Sequence, residues 1–303
     1  MTIRQNPLPQ LTLPQMLREQ ARSRPRELAL RQKDFGIWLP TTWEEYYRQA
    51  VRFGMGLLAL GLERGGKVGV LSENRAEWVI AQMGAGIVSC TTVGVYPTSP
   101  TPEVAYVVGH ADVEVIVCED QEQADKILEA IDELPSIVKI VVVDMRGLRD
   151  YDSPLVMSFE AFEELGAAYQ QDHPGAAEES LDQQTLEDDA LMIYTSGSTG
   201  KPKGAILTYR NLWAGGWSVI DRLGLDPGSS ALSYLPLCHV AEQGMTNFGP
   251  IYLGCTISFG ESIRTVQQDL RETAPSYFLG VPRIWEKLHS EIHIKIHEAG
   301  GLR

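Results

Sequence analysis

Several protein classes are excluded by what this chain of 303 residues does not contain. Its four cysteines, Cys90, Cys118, Cys238 and Cys255, show no C-x-x-C spacing, and each sits in an apolar stretch. No disulfide framework follows from so few, and buried thiols in a reducing compartment are the expectation. Long hydrophobic runs are also missing. The least polar stretch, Val79 to Val95, is interrupted by Gln82 and by Ser and Thr residues, and falls short of a membrane span. Met1 to Gln10 lacks the apolar core of a secretory signal. A soluble, cytoplasmic protein is expected, with peripheral membrane contact left open to regions outside this sequence. Positive charge is scarce: 26 Lys and Arg stand against 40 Asp and Glu, a formal net charge of −14. Such a field argues against nucleic acid or an anionic membrane as the main partner. An anionic ligand would have to be drawn in by a local basic element.

That element is present. Tyr194-Thr195-Ser196-Gly197-Ser198-Thr199-Gly200-Lys201-Pro202-Lys203-Gly204 holds four Ser and Thr hydroxyls, three glycines and two lysines, and follows the apolar run Ala190-Leu191-Met192-Ile193. Glycines let backbone N–H groups approach an anion, hydroxyls donate to phosphate oxygens, and lysines neutralise charge. A polyphosphate needs all three. The spacing rules out a Walker P-loop, which requires G-x-x-x-x-G-K-S/T opening a helix. Here only two residues separate Gly197 from Gly200, and Pro202 stands where Ser or Thr should follow the lysine. Gly204 to Leu207 reads as a second short strand, with a helix starting near Thr208 as N-cap. The loop therefore joins two strands.

Helix and strand patterns alternate through the first half. Thr42 to Leu60 reads as an amphipathic helix ending at Gly61, Lys67 to Leu71 as a strand, and Asn74 to Val88 as a mostly buried helix. Val113 to Cys118 reads as a strand, Gln121 to Leu134 as a helix, and Ile137 to Val143 as a buried parallel strand. This order implies a parallel sheet covered by helices. From Asp150 to Asp189 there are twelve acidic residues and no Lys or Arg. Apart from a helix from Phe159 to Tyr169, this segment reads as a solvated connection. The expected organisation is a first α/β half at 1–150, an acidic connection at 151–189, and a second α/β half at 190–303 carrying the loop. His289, His293 and His297 lie four apart on an expected helix from Trp285 to Ala299. Three such side chains diverge over two turns, so a solvated face is favoured over a metal site.

The loop resembles the phosphate-binding signature of the adenylate-forming enzymes, which include acyl-CoA synthetases, luciferases and peptide-synthetase adenylation domains. Leu235-Pro236-Leu237-Cys238-His239-Val240-Ala241-Glu242 looks like the second core motif of that family. Tyr96-Pro97-Thr98-Ser99-Pro100 is similar to an earlier one. Gly280-Val281-Pro282-Arg283-Ile284-Trp285-Glu286-Lys287-Leu288 is similar to a stretch typical of long-chain fatty acyl-CoA synthetases. The amino-acid-activating branch carries an Asp near the start of the second motif; Ser233 to Cys238 offers none, which favours an apolar acid, with Glu242 the one nearby carboxylate.

The resemblance implies a layered α/β/α fold, the N-terminal domain of an adenylate-forming enzyme, incomplete at its C-terminal side. It implies ATP, Mg²⁺ and coenzyme A as cosubstrates and cofactor, and fatty acid as substrate. Ser196, Gly197, Ser198, Thr199 and Gly200 would hold the β- and γ-phosphates. Lys201 and Lys203 would add positive charge, and Thr195 matches the position whose hydroxyl coordinates Mg²⁺. Thr195, Lys203 and His239 are the expected catalytic set, His239 shaping the acyl and adenylate pocket without acting as a base, because a carboxylate has no proton to lose at neutral pH. The family's later motifs are absent: the Mg²⁺- and adenine-site segment, the ribose aspartate, the hinge and the C-terminal lysine. The missing C-terminal portion is thus an expected partner, and the chain alone is expected not to turn over. Another acid–CoA or acyl-AMP ligase, or a noncatalytic nucleotide- or acyl-binding module, are the alternatives.

Overall fold

Two β-sheets, built by strands drawn from both ends of the chain, organise the molecule. The computed structural model describes residues 9–195 and 200–298. It opens with α1 (Leu13–Ser23), the hairpin β1 (Leu28–Asp34) and β2 (Ile37–Thr42), and α2 (Trp43–Ala59). There follow β3 (Lys67–Leu71), α3 (Ala76–Ile87), β4 (Thr91–Val95), α4 (Thr101–His110), β5 (Val115–Cys118) and α5 (Gln121–Glu129). Next come β6 (Lys139–Val142), β7 (Val156–Ser158), α6 (Phe159–Asp172) and α7 (Ala176–Asp182). Then β8 (Asp189–Thr195) and β9 (Lys203–Thr208) flank the loop, and α8 (Tyr209–Leu223) and β10 (Ser230–Ser233) follow. The short α9 (Val240–Glu242) passes through a π-helical turn (Gln243–Phe248) into α10 (Gly249–Leu253). β11 (Thr256–Phe259), α11 (Val266–Thr273) and α12 (Pro282–Glu298) complete the described chain.

Local chemistry sets many of these boundaries. Thr42 caps α2 through a capping box with Glu45, and Thr208 caps α8 through one with Asn211. Past α2 the chain turns at Gly61, whose φ of +84° suits a residue without a side chain. The helix expected from Gln121 to Leu134 stops at Glu129 and gives way to a 3-10 turn at Ile131–Glu133. Leu134 precedes Pro135, which disfavours helical backbone there.

The larger sheet has the order β7-β6-β5-β3-β4-β8-β9, parallel except for the antiparallel β8–β9 pair. Alternate residues serve opposite faces. Val68, Val70, Val115, Val117, Val141, Leu191 and Ile193 pack with residues of α2, α3 and α6 in one core. Val93, Val95, Ile116, Ile140, Val142, Met192 and Tyr194 pack with residues of α4 and α5 in another. This is the layered α/β/α arrangement. Because α3 leaves β3 toward one face and α4 leaves β4 toward the other, the gap between β3 and β4 is a topological switch point.

The smaller sheet has the order β10-β11-β1-β2. β1, near the N-terminus, pairs in parallel with β11, Leu30 lying opposite Ile257. The sheets thus exchange strands across the expected halves: β1 and β2 join β10 and β11, while β8 and β9 join β3 to β7. The acidic segment carries β7, the expected helix as α6, and α7, which buries Ala177 and Leu181. Its charges are partly used, for Glu178 and Asp182 pair with the Arg18 guanidinium at 2.8 and 2.9 Å. α6 lies tightly on α2, because a Cβ on Gly166 would fall 1.8 Å from the Arg52 carbonyl oxygen.

Glu163 on α6 has a buried carboxylate oxygen with no hydrogen-bond partner, and burial pushes its carboxyl up to about 7. A carboxyl raised above its unfolded value binds more protons folded than unfolded, so its ionisation weakens the fold as pH rises from about 4.5 to about 7. Glu163→Gln should flatten that fall. Urea midpoints at pH 5 and pH 8 should converge in the variant relative to the wild type.

Candidate functional site

The carboxyl ends of β4 and β8 line one crevice. Into it the chain inserts the turn Pro236–His239, between β10 and α9. What seats the turn is a close approach to β4: a Cβ on Gly94 would lie 2.8 Å from the Cys238 Cα. Any side chain at position 94 would therefore push the turn out of the crevice. On its far side the Gln243 amide donates to the Leu237 carbonyl oxygen at 2.7 Å. Gln243 is itself held by the Gln82 amide of α3 at 3.0 Å. The Cys238 thiol is buried, and burial pushes it up to about 12, so it stays protonated at neutral pH.

His239, at the end of the turn, is exposed, and its Nδ1 accepts from the Ala241 N–H at 3.2 Å. It lines a cavity of about 340 Å³ with Gly94, Tyr96, Tyr194, Thr195 and Pro202. The structure thereby brings together Thr195, His239 and Tyr96 from three separate sequence motifs. Thr195 ends β8 and stands opposite Lys203, the first residue of β9. Both are exposed, as are Gly200 (φ +145°, a glycine conformation) and Lys201. The two lysines do not line this cavity; the Lys201 ammonium sits 4.7 Å from the centre of the Tyr106 ring on α4. Ser196, Gly197, Ser198 and Thr199 lie outside the described residues.

The roots of the loop are tied to α4. The Tyr194 hydroxyl and His110 Nδ1 share a hydrogen bond of 2.7 Å, and the Tyr106 hydroxyl donates to the Pro202 carbonyl oxygen at 3.2 Å. Neither Tyr106 nor His110 stands out in the sequence, since both fall at ordinary positions of a helix. Tyr96 was legible only as part of its motif.

A second, larger cavity of about 800 Å³ lies behind the turn. α8 contributes Leu212, Gly215, Gly216 and Val219, and the segment after the turn contributes Val240, Met245 and Phe248. Ser276 to Leu279, beside β10, close one side. Its lining is mostly apolar. Val240 lines both cavities, so the turn forms the partition between them. Glu242 faces away from this space: its Oε1 accepts from the Ser233 and Thr246 hydroxyls, each at 2.7 Å, and from the Tyr234 N–H at 3.3 Å. Burial pushes its carboxyl up to about 7 against those bonds. Buried and with Oε1 engaged, it does not line the larger cavity. Among the described residues, no three His, Cys, Asp or Glu side chains converge as a metal site, and His293 and His297 are exposed on α12.

An open α/β sheet, a cavity at the carboxyl ends of its strands and, between the paired β8 and β9, a connecting sequence of glycines, hydroxyls and lysines are features of a nucleotide-binding class of protein. The family model described as "AMP-binding enzyme" matches residues 17–303, and the chain belongs to that family. It is 32% identical over 302 residues to the human long-chain-fatty-acid–CoA ligase ACSBG2, covering 97% of this chain and 44% of that protein. The Rattus norvegicus protein of the same name is 33% identical over 301 residues, with the same coverage. Among solved structures, a long-chain-fatty-acid–CoA ligase from Archaeoglobus fulgidus superposes with a TM-score of 0.75 at 18% identity. That match covers 93% of this chain and 54% of the other, and at such identity it speaks to the fold alone. The chain spans less than half the length of these curated relatives. No described helix is long and apolar enough to cross a membrane.

Gly94→Val should overpack the β4–turn contact and cost about 1–3 kcal/mol of stability. Equilibrium denaturation checks the cost, and it should come with loss of ligand binding at the crevice.

Proposed function

We propose that this chain supplies the phosphate-binding loop and the acyl cavity of an ATP-dependent long-chain fatty acid–CoA ligase. The observation that carries the reading is the pair of cavities sharing Val240: one large and mostly apolar, the other smaller and of mixed lining, with Thr195, His239 and Ser99 among its residues. A fatty acid laid across the partition would keep its alkyl chain in the first and present its carboxylate to the second. A cavity of about 800 Å³ is within the range of small-molecule sites, roughly 300–1,000 Å³.

In the first half-reaction a carboxylate oxygen attacks the α-phosphorus of ATP. The bond from that phosphorus to the bridging oxygen breaks, giving acyl-adenylate and pyrophosphate. In the second, the coenzyme A sulfur attacks the acyl carbon, AMP leaves with the bonding electrons, and the thiol proton is released. Two anions must approach in the first step, so the demand on the protein is local positive charge and fixed donors. Lys201 and Lys203 supply the charge at the root of the loop, against the −14 of the whole chain. Thr195 offers a hard oxygen donor suited to Mg²⁺, which takes few protein ligands and completes its shell with phosphate and water. That ion, when bound, neutralises charge on the leaving pyrophosphate. His239 shapes the carboxylate end of the acyl site. Among the described residues that line the apolar cavity there is no Asp or Glu, which favours an uncharged acyl group over an amino acid.

Binding of saturated fatty acids to the 303-residue chain should tighten with length. Burial of about 0.8 kcal/mol per methylene predicts a roughly threefold to fourfold gain for each added carbon until the cavity fills. Gly215→Trp, on the cavity wall of α8, should weaken a long-chain probe at least about tenfold, leaving magnesium tripolyphosphate within about twofold. Fluorescence titration reads both. On the polypeptide translated from the whole reading frame, acid-dependent ATP–pyrophosphate exchange is the expected activity; exchange with amino acids but not fatty acids would overturn the substrate class. The isolated chain should form no acyl-CoA.

A further inference from the structure

We infer that Asn74 is a positioning residue for the acid substrate, acting through the turn that separates the two cavities. This inference rests on the function proposed above. Asn74 lies in the connection between β3 and α3, at the switch point of the larger sheet, and its side chain is only partly exposed. The carboxamide donates from Nδ2 to the Ser233 Oγ at 2.8 Å and to the Leu235 carbonyl oxygen. Its Oδ1 accepts from the Leu237 N–H at 2.9 Å. One side chain thus bonds three alternate residues of the segment that leads to His239.

Only an asparagine matches that set at this distance. It offers two donors and an acceptor in one plane on a short stem. Aspartate keeps the acceptor but loses both donors, and alanine loses everything. The turn cannot make these bonds for itself. Pro236 has no N–H, and the backbone groups of Leu235 and Leu237 that Asn74 engages lie outside any strand or helix.

The opposite side of the segment is pinned by other groups. Ser233, which accepts from Asn74, donates to the buried Glu242 carboxylate at 2.7 Å. The Leu237 carbonyl oxygen is taken by Gln243 at 2.7 Å. The His239 side chain has by contrast one hydrogen bond among the described residues, accepted from the nearby Ala241 N–H. Its place beside Thr195, and that of Val240 in the partition, are inherited from Leu235 and Leu237. A shift of this turn alters the acyl side of the site. The phosphate side stands on β8, β9 and α4, which Asn74 does not touch.

The test compares wild type, Asn74→Ala, Asn74→Asp and a control, Gln184→Ala, in the 303-residue chain. Gln184 is a buried amide that donates to the Gly86 and Ile87 carbonyl oxygens, away from both cavities. Four readouts are needed: melting temperature, hydrogen exchange at the Leu237 amide, affinity for a fluorescent long-chain acyl probe, and affinity for magnesium tripolyphosphate. In Asn74→Ala the Leu237 amide should exchange at least tenfold faster and the acyl probe should bind about tenfold more weakly, with tripolyphosphate affinity within twofold. Asn74→Asp keeps the acceptor, so it should restore Leu237 protection in part and bind the probe at an intermediate level; it also carries the test should the alanine variant fail to fold. Gln184→Ala should lower the melting temperature and leave the other three readouts alone. If both affinities fall together in step with melting temperature, Asn74 is a structural residue and the inference is wrong. Probe affinity that holds while Leu237 loses protection overturns it too. A wild-type chain that takes neither probe defeats the proposed function itself, a different result from either.

Discussion

The contact between Gly94 and the backbone of Cys238 is the constraint on which the site depends. β4 lies inside the larger sheet, between β3 and β8, and one missing side chain there lets a turn from near the smaller sheet sit against its carboxyl end. Three consequences follow from that single approach. His239 reaches the same small cavity as Thr195, Val240 becomes a wall of two cavities, and the chain after the turn runs on as the floor of the larger one. The π-helical turn at Gln243–Phe248 belongs to that floor. Turns of this kind widen a helix locally, and here the widened stretch places Gln243 and Asn247 on the buried amide cluster and Met245 on the cavity.

Electrostatics and packing divide the labour. Globally the chain repels anions, so charge attraction has to be short in range, and at physiological ionic strength the pull of an exposed charge decays over about 8 Å. Lys201 and Lys203 stand at the root of the loop, where such a range suffices. Lys201 rests over the Tyr106 ring, a contact that keeps an otherwise mobile ammonium near the loop. The apolar cavity needs no charge and acts through area removed from water. Tight helix contacts such as that of Gly166 on Arg52 fix the scaffold under both.

How much of this was legible in the sequence depends on the range of the interaction concerned. The loop between two strands, the cap at Thr208, and β3 at Lys67–Leu71 are written in neighbouring residues and were read directly. Parallel pairing of β1 with β11 was not legible, because nothing near Leu30 specifies a partner at Ile257. For the same reason the acidic stretch looked solvated: the cation that pairs with Glu178 and Asp182 is Arg18, far away in the chain. Of the site, Thr195 and His239 could be named from their motifs, and their meeting in one cavity is a matter of topology. Asn74 read only as a helix start, since its three partners lie beyond residue 230. The large cavity was invisible, being the space left between α8 and a segment with no local mark of its own.

The central claim is that one crevice takes phosphate on one side of Val240 and an alkyl chain on the other. Amide chemical-shift mapping of the isotopically labelled chain tests it most directly, with the two ligands added separately. Magnesium tripolyphosphate should move the amides of Thr195, Gly200 and Lys203 and leave α8 still. A long-chain fatty acid should move Gly215, Gly216 and Met245 and leave β9 still, with Val240 responding to both. Shifts confined to other surfaces, or the same residues responding to both ligands throughout, would contradict the account.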